Sequence, residues 1–411
     1  MKVIKYKLGE LLRVTRGASL PGTGYADSGM YLRLTLANFH EVGGFKEFKS
    51  TQGKYFVEPF DSRFLMRKGD LITPLTEQSP GLLGSVAFVP CDGLYIQSQD
   101  IGLISCNPER LDKRFAYYLF LTHSVRDQIS ARSQQTKIRH TSPDKIADVE
   151  VYLPDLPTQL RIAGVLGSID EKIELNRKKI AELEALAKTI YDYWFVQFDF
   201  PDANGKPYKS SGGKMVWNEQ LKREVPEGWD VKRLPEIADY LFGYPFDSSL
   251  FNDKGNGFPI VRIRNVKDGV TQDSTTESAN KEYIISDGDF LIGMDGYFDM
   301  NHWIGGDAYL VQRTCRIKTK QSLYAGWLSS ALQAPIKHLE KSLSGATLAH
   351  LGKAHLDEIM LPVPPDDMRQ VLSILNQAIE RKVTLGSENM ALTQQRDTLL
   401  PLLMNGQVLV G

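Results

Sequence analysis

The residues of this chain with most chemical potential lie in basic, amide-rich loops, not in catalytic clusters. "SVRDQISARSQQTKIRHTSPDK" (124–145) carries Arg126, Arg132, Gln135, Lys137, Arg139 and Lys145 among Ser and Thr. Guanidinium and ammonium groups suit phosphates and guanine edges, and Gln and Asn amides suit adenine. Nearby stretches add Arg33 and Asn38 in "YLRLTLANF", Gln78 in "TEQS", and Gln97 and Gln99 in "QSQD". A comparable set recurs late in the chain. "VRIRNVK" holds Arg262, Arg264, Asn265 and Lys267, "GMDGYFDMNHW" holds Tyr297 and Asn301, and "QRTCRIK" opens on Gln312 and Arg313; Thr347 completes the set. Any one of these residues reads equally well as part of a solvated loop or strand face. Two such sets together point to a surface that contacts nucleic acid.

Catalytic patterns are missing. The sequence has no GxxxxGK[ST] phosphate loop, no GxSxG elbow and no HExxH, and "GTGYADSG" (22–29) lacks the third glycine of GxGxxG. The tetrapeptides with which amino-methyltransferases clamp a flipped base are also lacking. Seven histidines and three cysteines (Cys91, Cys106, Cys315) form no recognisable metal set. "SDGD" (286–289) reads as a strand-entry turn whose Asp bonds its own backbone. Binding is therefore expected, without catalysis or metal.

Composition is that of a folded protein, 42% hydrophobic and 24% charged. With 49 Lys plus Arg against 50 Asp plus Glu, the net charge is −1. A DNA-binding surface must then be locally basic, or borrow charge from a partner. The odd cysteine count without CxxC spacing, an opening "MKVIKYKLGE" unlike a signal peptide, and no apolar run of about 20 residues suggest a cytoplasmic protein, free of membrane.

The elements that position the loops are organised as a repeat. "DVEVYLPDLPTQ" (148–159) and "DEIMLPVPPDDM" (357–368) each lead into a long helical stretch, and Leu153 aligns with Leu361. "KIRHTSPDKI" is echoed by "TLAHLGKAHL", setting His140 near His350, and "RKGDLITP" by "SDGDFLIG". Short strands precede one amphipathic helix in each half, "RFAYYLFLTHSVRDQI" and "LYAGWLSSALQAPIKHL". The expected central helix begins after Pro157, with Thr158 as N-cap, and continues to about Phe198. Along it Leu166, Ile169, Ile173, Asn176, Ile180, Leu183, Ala187, Ile190 and Trp194 recur at steps of three and four, the seam of a coiled coil. Trp194 also reads as plain core. The distal helix offers Leu385, Leu392 and Leu399 at heptad spacing, with polar Lys382, Asn389 and Arg396 interleaved. Helices that follow equivalent domains are expected to pair with each other, antiparallel and within one chain, in preference to pairing with a second copy. Asn176 on the seam would set register.

Between 153 and 238 the pieces "LPTQLRIA", "IDEKIELN", "YDYWFVQFDFP", "GKPYKSSGGKMVWNE" and "VPEGW" closely resemble the central conserved region of the specificity (S) subunit of Type I restriction–modification enzymes. "PPDDMRQVLSIL" departs from the family's Pro, Gln and Ile series. The resemblance implies an α+β chain of two tandem-repeated α/β target-recognition domains separated by a long antiparallel intramolecular coiled coil. The expected divisions are a first recognition domain at 1–155, a central conserved region at 156–225, a second recognition domain at 226–364 and a distal conserved helix at 365–411. It further implies that each domain reads half of an asymmetric bipartite site in double-stranded DNA. Two methyltransferase (M) subunits would dock on the coil and restriction (R) subunits would join them. S-adenosylmethionine and ATP with magnesium would belong to those partners, and this chain would be non-catalytic. The rival readings are a scaffold of two β-rich protein- or glycan-binding modules and, less favoured by the residues, a hydrolase using loop carboxylates.

Overall fold

The computed structural model describes residues 3–78, 81–133, 139–343 and 349–408. They fall into two units, Met1–Glu171 with Gln394–Gly411, and Lys172–Thr393. The repeat seen in the sequence recurs as strand pairing. In the first unit, Ile101–Cys106 lies between Leu12–Arg16 and Leu71–Pro74, with Ala87–Phe88 outside, all antiparallel. In the second, Thr314–Thr319 lies between Ala238–Phe242 and Phe290–Gly293, with Met300–His302 outside. A second sheet in each unit contains one parallel pair: Leu32 stands opposite Tyr95, and Ile260 opposite Tyr309. A two-stranded ribbon then leads into each long helix, Ile4–Lys7 with Glu150–Leu153 and Asp230–Arg233 with Met360–Val363.

Gly17 and Gly243 occupy matching places in these repeats. A Cβ on Gly17 would sit 2.4 Å from the Gln97 carbonyl oxygen, and one on Gly243 would sit 2.1 Å from that of Val311. The neighbouring strand backbone comes too close for any side chain, so both repeats require glycine there.

Each expected amphipathic helix is in fact interrupted. Thr122, with extended backbone, separates Lys113–Leu121 from His123–Ala131, and Leu332 separates Ala325–Ala331 from Gln333–Leu343. The breaks let both segments bury apolar faces in the domain core.

The central helix is Leu156–Tyr191, continued by a π-helical turn over Asp192–Val196. Its cap is Asp155, not Thr158: the Asp155 carboxylate accepts the Thr158 N–H at 3.1 Å. Ionised Asp is favoured there because it meets both the unpaired N–H and the helix dipole. The helical run stops where Phe198 turns to φ 64°. Phe198 and Phe200 then pack on Trp229, with ring centroids 5.2 and 5.6 Å apart.

The distal helix is Arg369–Met404. Its pairing with the central helix is antiparallel and intramolecular. In the first unit, Leu166 shares a buried cluster with Leu403, and Leu399 packs against it. Arg396 pairs with Asp170 at 3.0 Å, and Asp170 also accepts the Tyr118 hydroxyl at 2.6 Å. Burial, with Asp170 alongside, pushes the Tyr118 phenol above its ordinary pKa. In the second unit, Asn176 is fully buried and donates to Glu388 Oε2 at 2.8 Å and Asn389 Oδ1 at 3.0 Å. Asn389 returns a bond to the Ile173 carbonyl at 3.3 Å. Lys172–Glu388 at 3.2 Å and Glu184–Lys382 at 2.7 Å flank them. Ile169 and Ile173 are buried, whereas Ile180, Leu183, Ala187, Ile190 and Trp194 are half-buried; opposite them Leu385 is buried and Leu392 half-buried.

One amide ties each domain to its long helix. Gln159, 1% exposed, accepts the Asp112 N–H at 3.0 Å and donates to the carbonyls of Arg110 and Pro154, both at 3.0 Å. The distal helix lacks a matching Gln. Asn376 serves instead, accepting the Gly326 N–H at 2.7 Å and donating to the Ser322 and Leu323 carbonyls, both at 3.1 Å.

Replacing Gly243 by Ala should destabilise the second unit by at least about 2 kcal/mol, because the carbonyl that must yield belongs to a paired strand. Urea unfolding followed by near-UV circular dichroism measures this, and an unshifted midpoint would show that the strands can part.

Candidate nucleic-acid interface

The two polar-basic sets are built on matching elements and differ in chemistry. In the first unit Arg139–His140 pairs antiparallel with Thr76–Glu77. Glu77 is 1% exposed, and its Oε2 accepts the N–H groups of Gly81, Leu82 and Leu83 at 3.1, 2.8 and 2.9 Å. Its Oε1 lies 2.9 Å from Arg139 Nη1. Arg139 also donates to the Ser130 carbonyl at 2.8 Å and from Nε to the Ser133 hydroxyl at 3.1 Å. A buried carboxylate is tolerable only with such a full set of donors. Arg139 therefore anchors these strands, a role its place in a basic loop did not suggest. Glu77 was not among the expected site residues; its only sequence signal was a lone acid inside "TEQS".

Burial corrects further expectations. Asn38 is fully buried, accepting the Thr35 N–H at 2.9 Å and donating to the Lys46 carbonyl at 3.1 Å. Gln97, 2% exposed, donates to the Thr15 and Ile101 carbonyls at 2.7 and 2.9 Å. Asn265 performs the second repeat's version of the Asn38 bond, accepting the Arg262 N–H at 2.8 Å. Each closes a one-turn helix after the parallel strand pair. Asn301 bridges loop and coil, donating to the Lys267 carbonyl at 2.8 Å and accepting Lys382 Nζ at 3.0 Å. These amides are committed to the protein's own backbone and side chains.

The remaining expected residues are accessible to differing degrees. Gln78, Gln99, Lys267 and Gln312 are exposed, and Tyr297 is 77% exposed. Arg132 is half-buried and bonds Gln128 Oε1 at 3.1 Å. Arg33 lies over the Tyr25 ring at 4.0 Å, and Arg262 over Phe251 at 5.4 Å. Exposed Arg264 pairs with Asp273. Gln135, Lys137 and Thr347 lie outside the described residues. In the second unit Asp295 stands opposite His350, as Thr76 does opposite His140. Asp295 Oδ1 lies 2.6 Å from His350 Nδ1, and Oδ2 lies 3.6 Å from Arg313 Nε. The histidines aligned in the sequence thus occupy equivalent strand positions.

The second unit also holds a groove of about 930 Å³, lined by Ala187, Tyr191, Met300, His302, Ile379 and Lys382 among others. Burial, and secondarily nearby Lys382, lowers the His302 pKa to about 3, so the ring is neutral at ordinary pH. Several large apolar side chains on the outer faces of the long helices and the adjoining hairpin are exposed, among them Leu175, Leu186, Trp217 and Ile374. Among the described residues no cluster of three or more His, Cys, Asp or Glu could hold a metal ion, and no helix is long and apolar enough to cross a membrane.

A family model described as the Type I restriction modification DNA specificity domain matches residues 2–185 and again 226–389. The chain belongs to this family. The duplicated match coincides with the duplicated fold. Among curated specificity subunits, that of the Type I restriction enzyme MjaIX of Methanocaldococcus jannaschii is 24% identical over 317 residues, covering 72% of this chain and 69% of its own. The HindI specificity subunit of Haemophilus influenzae is 22% identical over 417 residues, covering 85% and 89%. The crystal structure of a Type I restriction–modification S subunit from M. genitalium superposes with a TM-score of 0.63 at 18% identity, covering 98% of this chain and 96% of that one. At that identity the likeness speaks for the specificity-subunit fold alone.

Replacing Glu77 by Gln should destabilise the first unit by about 3 kcal/mol, since an amide cannot accept the four donors and leaves Arg139 unpaired. Thermal unfolding of E77Q, R139M and the double variant tests it. Additive losses would show that the ion pair does not couple these two strands.

Proposed function

We propose that this chain is the non-catalytic DNA-reading subunit of a Type I restriction–modification complex. Each domain reads one half of an asymmetric bipartite site in double-stranded DNA, and the coiled coil sets the gap between the halves. The observation that carries the proposal is the pairing of two equivalent helices inside one chain, each emerging from an equivalent domain. A repeated fold with divergent loops suits two unlike half-sites, and a stiff pair of helices suits a fixed gap. The balanced charge fits a subunit that reads bases while partners supply much of the phosphate contact. M subunits, holding S-adenosylmethionine, dock on the coil and its flanking hairpin; R subunits, using ATP and magnesium, act through them. Exposed Leu175, Leu186 and Trp217 are the apolar side chains on these elements that such a partner would cover. A cytoplasmic setting follows from that role. The scaffold reading has no observation in its favour.

The Asn176–Asn389 contact sets an antiparallel register that brings Ile180 level with Leu385. Inserting one heptad after Ile180 and one after Thr384 preserves that pairing and lengthens the coil by about 10 Å, or ~3 base pairs at 3.4 Å each. Methylome sequencing should find both half-sites unchanged and the gap longer by about three. An unchanged gap with altered half-sites would sink the spacer role. Separately, Leu186→Asp with Trp217→Asp should leave the chain folded but cut its co-purification with the M subunit at least about tenfold, as expected for central apolar contacts. Undiminished recovery would place the partner elsewhere.

A further inference from the structure

The link between the last strand of the second sheet and the centre of the first differs between the repeats. Tyr95 and Tyr309 are equivalent by their parallel pairing, and Ile101 and Thr314 by their pairing with Pro74 and Gly293. Five residues separate the first pair (96–100) and four the second (310–313). The Leu75 N–H donates to the Asp100 carbonyl at 2.8 Å, and the Met294 N–H to the Arg313 carbonyl at 2.9 Å, so Asp100 and Arg313 hold matching places. The shorter link drives Arg313 to φ 75°, while Asp100 has no such distortion. Glycine would adopt this conformation without penalty. The turn is nonetheless held by an arginine whose side chain is 49% exposed.

The surroundings hold that side chain in a definite pose. His350 Nδ1 lies 2.6 Å from Asp295 Oδ1, which assigns the proton to Nδ1 and makes the imidazole the donor. The other Asp295 oxygen faces Arg313 Nε at 3.6 Å, and Nη1 lies 3.3 Å from His350 Nδ1. Because Nδ1 gives its proton to Asp295, it cannot also accept from Nη1; Asp295 thus faces Nε, and among the described residues the terminal fork of Nη1 and Nη2 has no acceptor. In the first repeat Thr76 replaces Asp295 and Asp100 replaces Arg313, so both members of the arrangement change together.

We propose that Arg313 is the guanine-reading residue of the second domain, donating to O6 and N7 of one guanine in the major groove, with Asp295 and His350 as positioning residues. A backbone distortion kept at an exposed, oriented arginine is the pattern of a functional side chain, and this donor geometry matches guanine. The inference rests on the reading of the chain as a DNA-recognition subunit.

The test uses the full chain co-expressed with its methyltransferase partner, with base preference measured by selection from randomised duplexes and by methylome sequencing. For R313G the melting temperature should hold or rise, because glycine relieves the turn. One G·C position in one half-site should lose about tenfold or more of its discrimination, and the other half-site should be untouched. R313K should lose most of the same discrimination while keeping the charge, and D295N should lose part of it. Unchanged preference at every position in R313G, or affinity falling equally for all sequences with a shallower salt dependence, would overturn the assignment and leave the recognition role standing. A wild-type complex with no bipartite preference at all would overturn both.

Discussion

The structure depends on a seam that closes one way only. A coil zipped by leucine alone could pair in parallel, slip by a heptad or recruit a second chain. Here the buried Asn176 Nδ2 finds its two acceptors only if Glu388 and Asn389 lie opposite, and Asn389 in turn needs the Ile173 carbonyl. Any other register would leave a fully buried amide unbonded, a penalty of about 1–3 kcal/mol. Arg396 with Asp170 and Lys382 with Glu184 impose the same condition at other levels. Polar seam positions generally sacrifice stability for orientation, and that exchange fits a pairing whose purpose is geometry.

The coil is not an independent rod to which domains are appended. Ile162 and Leu166 of the central helix and Leu403 of the distal helix sit inside the first unit's core, while Leu372, Leu375 and Phe195 sit inside that of the second. Gln159 adds two hydrogen bonds to backbone groups at the start of a domain helix and one to Pro154, and Asn376 adds three at the start of its domain helix. A lone amide with this many rigid partners leaves little freedom of rotation. Each domain's orientation is thereby fixed against its own stretch of helix by packing and by directional bonds together.

The sequence made the central seam legible because heptad spacing is a local pattern: its nine expected positions are all buried or half-buried. The repeat was legible for a different reason, since turns and strand entries reuse the same residue types. The distal register was not legible, because Lys382, Asn389 and Arg396 look like surface residues until Glu184, Asn176 and Asp170 stand opposite. Asn38 and Gln97 misled for a related reason. An amide or guanidinium suits a base edge and a backbone carbonyl equally well, and only burial distinguishes the two. Asn376 could not be anticipated, because it replaces a missing Gln from a later turn of the helix.

Comparing the repeats position by position separates what the fold requires from what it leaves free. Gly17 and Gly243 are the same residue because two backbones approach too closely for another. Asn38 and Asn265 are the same because one turn needs the same bond. His140 and His350 keep their strand positions while their neighbours change, Thr76 becoming Asp295. Where a side chain is not needed to satisfy a backbone group the repeats can differ, as at Asp100, which is replaced by the exposed Arg313. A scaffold that fixes its own polar groups internally can vary these exposed side chains without refolding. Two domains of one ancestry can then present different chemistry from equivalent positions on the same framework.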